Sequence, residues 1–385
     1  MFRRTMKGAW FTVAMWGVMM SIGCSTSKPE TTDGETGSQT STVAESVLVT
    51  LFDEKMRLEE GLSSDLFVDV PEDATTVTVV VSGTSEYTLN AWEDSEGRVL
   101  VREGWWEDEG NWECDSCAQK VMWMEEAFTT VAPNNPSVVL TPGTHRLVVA
   151  GGWDERVKVT VYAKVGGALP ETGVLDLNLW FTGAYGWDAE TAATDEYLQD
   201  ALAYVEGLYA QAGISFGELS YLDLDENFQN VNSTYGNGND LSALLEQSSG
   251  APSLGVNVFF VDELYASGTG VGQSGPLIIG VSGGTPGPVR LQGTVNSGVV
   301  VSTWSTLSEP AATRWVPALA GTIAHEVGHF LGLDHTTEGE GIYDDLPDTA
   351  KNDRGNLMHW DPDPSIGELS PFQRQMMRQN PWIRH

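Results

Sequence analysis

The sequence predicts an α+β fold in which an all-β sandwich precedes a second domain, built on a twisted mixed sheet with helices packed against it. Short apolar runs separated by turn residues fill residues 45–166, a pattern typical of antiparallel strands. From residue 170 onward, apolar strands alternate with amphipathic helical segments, which favours a mostly parallel sheet. With 385 residues, the chain is long enough for two domains of ordinary size.

The composition indicates an acidic, globular chain. Hydrophobic residues make up 41% of it, and the formal net charge is −34 at pH 7. Because only 20 Lys and Arg accompany 54 Asp and Glu, we expect no nucleic-acid partner. Carboxylates can also bind Ca²⁺, which is therefore a candidate structural cofactor; the alternative is that they only solvate the surface. Residues 223–227 begin like a calcium loop but lack the glycine and distal glutamate of an EF-hand.

Residues 1–23 are expected to be a signal peptide. Basic residues at the start precede an apolar run over residues 8–22, which is too short to span a membrane comfortably. Residues 21–24, Ser-Ile-Gly-Cys, resemble a bacterial lipobox, in which cleavage leaves Cys24 as a lipid-modified N-terminus, although Ser21 stands where leucine is preferred. The protein would then be exported and anchored by lipid at the outer membrane or cell surface. An ordinary secretory signal is the alternative.

Residues 24–44 predict a flexible tether, because Ser, Thr, Gly and Glu dominate and almost no apolar residue is present. The β-sandwich domain follows at residues 45–166. Its tryptophans are expected to pack in the core and loops; a carbohydrate-binding face is the alternative. The strands are predicted at residues 47–52, 66–70, 77–81, 99–101, 138–140, 145–150 and 157–162.

The domain at residues 170–385 is predicted to alternate strands and helices. Strands are expected at residues 174–181, 214–222, 256–261 and 299–302, and helices at residues 195–212, 241–246 and 315–331. Pro317 fits the first turn of the last helix, where a missing N–H costs little.

Residues 325–335, His-Glu-Val-Gly-His-Phe-Leu-Gly-Leu-Asp-His, carry the strongest chemical signal in the chain. Positions four apart share one face of a helix, so His325 and His329 can bind one metal ion. Gly332 can take the left-handed conformation that ends a helix and turns His335 back towards the same ion. Three imidazoles with an open fourth position are typical of a catalytic zinc site. Glu326 would then act as the base that activates a zinc-bound water.

This segment resembles the metzincin metallopeptidases, whose histidine pattern is followed by a methionine-containing turn. Residues 356–360, Asn-Leu-Met-His-Trp, look like that turn, and Met358 is implied to form a hydrophobic floor beneath the metal. The flanks at residues 345–349 and 369–377 are most similar to the pappalysin branch. In several branches, the residue two after the methionine is a tyrosine that approaches the zinc; here it is Trp360, which cannot ligate a metal.

The resemblance implies a zinc endopeptidase that hydrolyses peptide bonds of proteins or peptides outside the cytoplasm. Its cofactor would be Zn²⁺, and its only contact with a membrane would be the lipid anchor at Cys24. The alternative is a catalytically silent binding protein or adhesin on the same fold. Such a protein is expected to have lost a motif residue, and none is missing from this motif.

The glycine-rich residues 267–298 lie where, by the same resemblance, an edge strand pairs with an extended substrate. Glycine permits close approach of another backbone. The strand is predicted at residues 277–281, with Leu277, Ile278, Ile279 and Gly280 as candidate substrate-binding residues. A low-complexity linker is the alternative.

Cys114 and Cys117 form a Cys-x-x-Cys pair, which in an exported protein is expected to close a small disulfide loop. A zinc site would need two further ligands that are not nearby in the sequence. A third interpretation is that one thiolate blocks the catalytic zinc of a latent precursor, as in some metzincins, although the flanking residues do not resemble that motif.

Overall fold

The computed structural model describes residues 46–110, 112–224, 226–234, 238–265, 278–303, 315–338 and 344–385. The predicted signal peptide, the tether, Cys24 and Leu277 lie outside these residues. Within them, no helix is both long enough and apolar enough to cross a membrane. The chain is a mixed α+β protein made mostly of strands.

The first half forms a curled, seven-stranded antiparallel sheet. Its strand order is β1-β7-β3-β6-β2, with β4 and β5 also paired to β3. A short helix, α1 (Trp105–Glu109), follows β4. The strands are β1 (Val47–Arg57), β2 (Leu66–Val70), β3 (Ala74–Glu93), β4 (Val99–Val101), β5 (Met124–Ala132), β6 (Gly143–Ala150) and β7 (Arg156–Val165).

Strand β3 joins the two layers that the sequence predicts as a sandwich. It is 20 residues long; its first part pairs with β5 and β7, and its second part pairs with β4 and β6. Inward side chains of both parts, such as Val79 and Leu89, belong to one apolar cluster. The layers are therefore one continuous sheet rather than two separate ones.

The strand predicted at residues 138–140 is wrong. The Asn135 carbonyl accepts from Val138 N at 3.2 Å and its side chain accepts from Ser137 N at 2.9 Å, which forms a turn. Val139 is 57% exposed, so this apolar run is not the buried strand that its composition indicates.

The tryptophans of this half differ in their surroundings. Trp92 and Trp105 are fully buried, and their indole N–H groups donate to His145 Nδ1 and to the Leu89 carbonyl. Trp153 is 75% exposed. Trp106 and Trp123 are partly buried and pack against the same core, so core packing accounts for four tryptophans but not for Trp153.

The structure joins Cys114 and Cys117 in a disulfide with a Cα–Cα distance of 5.4 Å. Both sulfurs are therefore bonded to each other, and neither is present as a free thiolate. The structure gives no support to a zinc site or to a blocking thiolate at these two residues.

The second half is built on a six-stranded sheet of order β13-β14-β11-β8-β15, with β9 also paired to β8. Strands β8, β9, β11 and β14 run parallel, whereas β13 and β15 are antiparallel to their neighbours. A separate parallel pair consists of β10 and β12. The strands are β8 (Gly173–Phe181), β9 (Ile214–Asp223), β10 (Asn230–Asn232), β11 (Val256–Val261), β12 (Glu263–Tyr265), β13 (Gly280–Ser282), β14 (Val299–Ser302) and β15 (Ile383–Arg384).

Five α-helices accompany these strands in the described residues: α2 (Ala189–Ala192), α3 (Glu196–Tyr209), α4 (Asp240–Glu246), α5 (Val316–Phe330) and α6 (Pro371–Gln379). Helix α3 ends at Tyr209, which is earlier than predicted. A 3-10 turn at Ala210–Ala212 follows it and ends at Gly213, whose φ is 71°. Helix α5 has a proline in its first turn, as the sequence predicts.

Each half has a large apolar cluster of its own, and the cluster of the second half packs α3 and α5 against the sheet. Val80 of β3 belongs to the second cluster, so the two halves pack against each other. The predicted division of the chain at residues 166–170 remains a prediction.

Candidate metal centre

Helix α5 and the turn after it bring the three motif histidines together. His325 and His329 lie one turn apart on α5, which ends at Phe330. The chain then reverses: Gly332 N donates to the His329 carbonyl at 2.8 Å, and Leu333 N donates to the Gly328 carbonyl at 3.1 Å. Gly332 has a φ of 101°, which other residues rarely adopt. The reversal places His335 beside the two helical histidines.

The Nε2 atoms of the three rings converge on one point. His325 and His335 are separated by 2.9 Å between these atoms, and His329 lies 3.1 Å from each of them. Four tetrahedral ligands at the usual Zn–N distance of about 2.0–2.1 Å would be separated by about 3.3 Å. The triad is therefore within a few tenths of an ångström of the geometry of a zinc site.

Partners on the far side of each ring fix the orientation of the imidazoles. His325 Nδ1 lies 2.7 Å from the Leu357 carbonyl, and His329 Nδ1 lies 2.6 Å from the Leu333 carbonyl. A carbonyl only accepts, so both Nδ1 atoms carry the proton. His335 Nδ1 lies 2.6 Å from Glu338 Oε1, an arrangement of carboxylate and ligand that is common around metal ions.

The rings of α5 are neutral. Burial, with His335 nearby, lowers the pKa of His325 to about 3, and the same causes lower the pKa of His329 well below its usual value. Their Nε2 atoms therefore present lone pairs to one another with no proton between them, and a cation relieves the resulting repulsion. Three imidazole nitrogens suit zinc better than the hard cation calcium.

The described residues give calcium no support. Within that part of the chain, one group of three or more His, Cys, Asp or Glu side chains has its ligand atoms within 4.8 Å of one another. That group is the histidine triad. In the run at residues 223–227, the Asp223 carboxylate accepts from Ala189 N at 2.6 Å and so holds the start of α2.

Glu326 follows His325 on α5, and its side chain contacts the edge strand β13. It is 7% exposed, and burial raises its pKa from 4.5 to about 8. A Cβ atom at Gly280 of β13 would lie 2.5 Å from Glu326 Cγ and 2.6 Å from Oε1. The carboxylate therefore rests directly against the edge strand, at a position where only glycine leaves room for it.

Met358 packs against α5, and its implied role as a floor beneath the metal remains a prediction. It is fully buried, and a Cβ at Gly328 would lie 2.8 Å from its sulfur. Its carbonyl accepts from Thr336 N at 2.9 Å, which ties the turn to the residue after the third histidine. Trp360 is half-buried, and its ring lies beside that of His359 with centroids 6.0 Å apart.

The candidate substrate-binding residues differ in their main-chain hydrogen bonds and strand pairing. Ile279 O accepts from Ser302 N of β14 at 2.9 Å, and Ile278 forms a bridge with Leu264. Pairing alternates along antiparallel strands, so the main-chain groups of Gly280 and Ser282 point away from β14, towards the outer edge of the sheet. Of the predicted candidates, Gly280 therefore has its main chain on the side of β13 that faces away from β14.

Sequence reasoning missed two other contributors to the site. Glu338 is one, and a carboxylate three residues after a ligand is the signal that points to it. The other is the side-chain pair of Asn356 and Gln373. Asn356 Nδ2 donates to Gln373 Oε1 at 2.9 Å, and Gln373 Nε2 donates to Asn356 Oδ1 at 3.1 Å. Asn356 Oδ1 also accepts from Met358 N. Nothing in the sequence connects these two residues, because they meet only through the fold.

The stability of the metal-free chain is expected to depend on Glu326. The pKa of Glu326 is about 8 in the folded state and near 4.5 in the unfolded state. Between these two pH values, the folded state therefore binds a proton that the unfolded state does not. The contribution of this carboxyl group to the free energy of unfolding should therefore fall as the pH rises from about 4.5 to about 8, whereas the lowered pKa values of His325 and His329 act in the opposite direction below about pH 6.5. Urea unfolding of the unaltered chain and of Glu326→Gln in the presence of a chelator, at several pH values, isolates this contribution as the difference between the two. The free energy of unfolding of the unaltered chain should decrease relative to that of the variant across this range, and equal slopes in the two proteins would contradict the expectation.

No protein family model matches the chain, and no curated protein matches it. Among solved structures, the chain is similar to the crystal structure of metalloproteinase-II from Bacteroides fragilis, with a TM-score of 0.33 and 13% sequence identity. The similarity covers 55% of this chain and 54% of that chain. The chain thus matches about half the length of that metalloproteinase, and the likeness is distant.

Proposed function

We propose that this protein is a zinc-dependent endopeptidase that cleaves proteins or peptides outside the cytoplasm, and that it is a pappalysin-like metzincin. The observation that supports the proposal best is the meeting of three histidine Nε2 atoms at 2.9–3.1 Å, with a buried carboxyl group next to the first of them in the sequence. Histidine ligands alone would suit a structural site as well. A base beside them is what suits hydrolysis.

The proposal assigns a task to each part of the site. His325, His329 and His335 hold the ion, and Glu338 keeps the third ring in place. When bound, zinc supplies Lewis acidity, which acidifies water and polarises a carbonyl. Glu326 takes a proton from the attacking water and passes it to the leaving amine.

The edge strand would orient the substrate. An extended peptide that pairs with Gly280 would add a strand to the sheet, and its main-chain hydrogen bonds would supply affinity without requiring a particular sequence. Because Gly280 contacts Glu326, a peptide held on this strand lies beside the base. This arrangement favours internal cleavage of extended chains.

The proposal for cellular location depends on residues 1–24 alone. We place the protein outside the cytoplasm, anchored by a lipid on Cys24 at the outer membrane or cell surface and lifted from it by the tether. Membrane contact is proposed only through that anchor.

Removal of the metal tests the activity. The purified chain is expected to contain about one zinc per molecule, to cleave an unfolded protein at internal bonds, to stop when 1,10-phenanthroline removes the metal, and to recover when zinc is added back. Elemental analysis and mass spectrometry of the fragments measure these outcomes. Absence of stoichiometric metal, or cleavage that persists after its removal, would refute the proposal.

A further inference from the structure

The loop at residues 283–298 connects the edge strand β13 to β14, and α5 and the sheet hold it from two sides. Gly287 N donates to the Phe330 carbonyl at 3.0 Å, and a Cβ at Gly287 would collide with the Phe330 ring. On the sheet side, the Asn257 side chain donates to the Ser297 carbonyl at 2.9 Å. The loop therefore determines where β13 lies relative to the helix that carries Glu326.

Strand β5 of the first half holds the loop from a third side. The Asn296 side-chain amide donates to the main-chain carbonyls of Glu125 and Ala127. Val295 N lies 3.3 Å from Glu126 Oε2, and Val289 N lies 3.3 Å from Thr129 Oγ1.

These contacts are buried and leave little freedom. Asn296 is 4% exposed, and Val289 and Val295 are 1% exposed. At Gly284, a Cβ would collide with the Met124 side chain. Loss of the β5 contacts would leave polar groups of the loop buried without partners, which is unfavourable.

The two halves are also joined away from the loop. Lys164 of β7 is 3% exposed, and its Nζ donates to the carbonyls of Arg378, Asn380 and Ile383 at 2.7, 2.8 and 3.0 Å. Lys120 Nζ lies 3.1 Å from Asp345 Oδ2, on the chain between the third histidine and the methionine turn. The attachment thus extends over the C-terminal segment and the rim of the metal centre.

We propose that the N-terminal sheet is a permanent part of the substrate-binding site. Thr129 of β5 and Asn296 of the loop act as positioning residues for the edge strand. The sheet does not act as a removable segment that keeps the enzyme latent. This inference depends on the proposed peptidase function and adds to it: the loop that holds the peptide-binding strand contacts residues of β5 that lie 160 to 171 positions earlier in the chain.

Adjacent threonines of β5 provide a matched test. Thr129 Oγ1 accepts from Val289 N of the loop, whereas Thr130 Oγ1 accepts from Gln119 within the N-terminal sheet at 2.8 Å. Both side chains are buried, and valine has nearly the same shape as threonine. Thr129→Val and Thr130→Val therefore each remove one hydroxyl. Only the first removes a contact to the loop.

Two hydroxamate probes separate the metal from the edge strand. Acetohydroxamate contacts the metal alone, whereas a tetrapeptide hydroxamate also pairs with the strand. In the full chain, Thr129→Val is expected to weaken binding of the peptide probe by about 3- to 10-fold, the range for one lost hydrogen bond. Asn296→Ala removes two hydrogen bonds and should weaken it at least as much. Binding of acetohydroxamate and zinc content should not change, and the KM for peptides should rise more than kcat falls.

The control Thr130→Val should bind both probes like the unaltered chain. The inference is overturned if Thr130→Val weakens binding of the peptide probe as much as Thr129→Val does. It is also overturned if Thr129→Val and Asn296→Ala both bind the peptide probe normally. Failure of the proposed function looks different, because the unaltered chain would then neither hold zinc nor cleave peptides, and the inference would fail with it.

Discussion

Replacing Glu326 by glutamine is expected to lower kcat for peptide cleavage by about 10²–10⁴-fold, the usual contribution of a positioned acid–base group. The amide has nearly the shape of the carboxylate but cannot take a proton from water. Zinc should remain bound, because the ligands are His325, His329 and His335. Steady-state kinetics and elemental analysis of the same preparation measure the two properties.

Two comparisons make this result specific. His329→Ala removes a ligand and is expected to lose zinc and hydrolysis together. Glu196→Gln makes the same chemical change on the exposed side of α3 and should leave both unchanged. If Glu326→Gln turned over peptides at the rate of the unaltered chain, Glu326 would not be the base.

Substituting alanine for Gly280 is expected to reduce kcat/KM by about 10²-fold, the effect of displacing a catalytic group by about 1 Å. The added Cβ would occupy the space of Glu326 Cγ and Oε1, so the strand or the carboxylate must move. Overpacking of this kind typically costs about 1–3 kcal/mol of stability. Kinetics, zinc content and chemical unfolding measure the three consequences.

Gly207→Ala is the matched control for this substitution. Gly207 lies on the exposed face of α3, and a Cβ there would meet no heavy atom within 4 Å. Alanine should stabilise the helix by up to about 1 kcal/mol and leave activity unchanged. Normal peptide cleavage by Gly280→Ala would show that the edge strand and Glu326 do not need to be in contact.

Local spacing was enough to predict the centre of the site. His325 and His329 are four residues apart, and Gly332 takes the positive φ that the turn requires, so the helix and its reversal follow from eleven residues. The carbonyls of Leu333 and Leu357 could not be assigned in this way. Their role depends on the path of the chain after the helix.

Strand β3 shows why long strands are harder to predict. Residues 82–83, Ser-Gly, are typical of a turn, yet β3 continues through them to Glu93. The Tyr87 hydroxyl accepts from Thr84 N and Ser85 N at 2.8 and 3.0 Å, which holds the irregular segment in the sheet. The Glu155 carboxylate, from a distant part of the sequence, also accepts from Thr84 N.

The edge strand was predicted at residues 277–281, which overlaps β13 at Gly280 and Val281. The apolar run at residues 277–279 suggested the strand, whereas β13 contains Gly280–Ser282. Ile278 instead pairs with Leu264, a contact between segments that sequence patterns do not relate. The glycines that look like a linker are required by close contacts with Glu326 and Phe330.

The hydrogen bond between His335 and Glu338 also affects the electrostatic balance of the loaded centre. Two imidazoles are oriented by uncharged carbonyls and one by a carboxylate, and Glu326 supplies a second carboxylate nearby. A bound dication would lower the pKa of Glu326, and with both carboxyl groups ionised the assembly would be electroneutral. A monovalent or trivalent ion would leave an uncompensated charge in a poorly hydrated interior, so the surroundings discriminate by valence as well as by ligand chemistry.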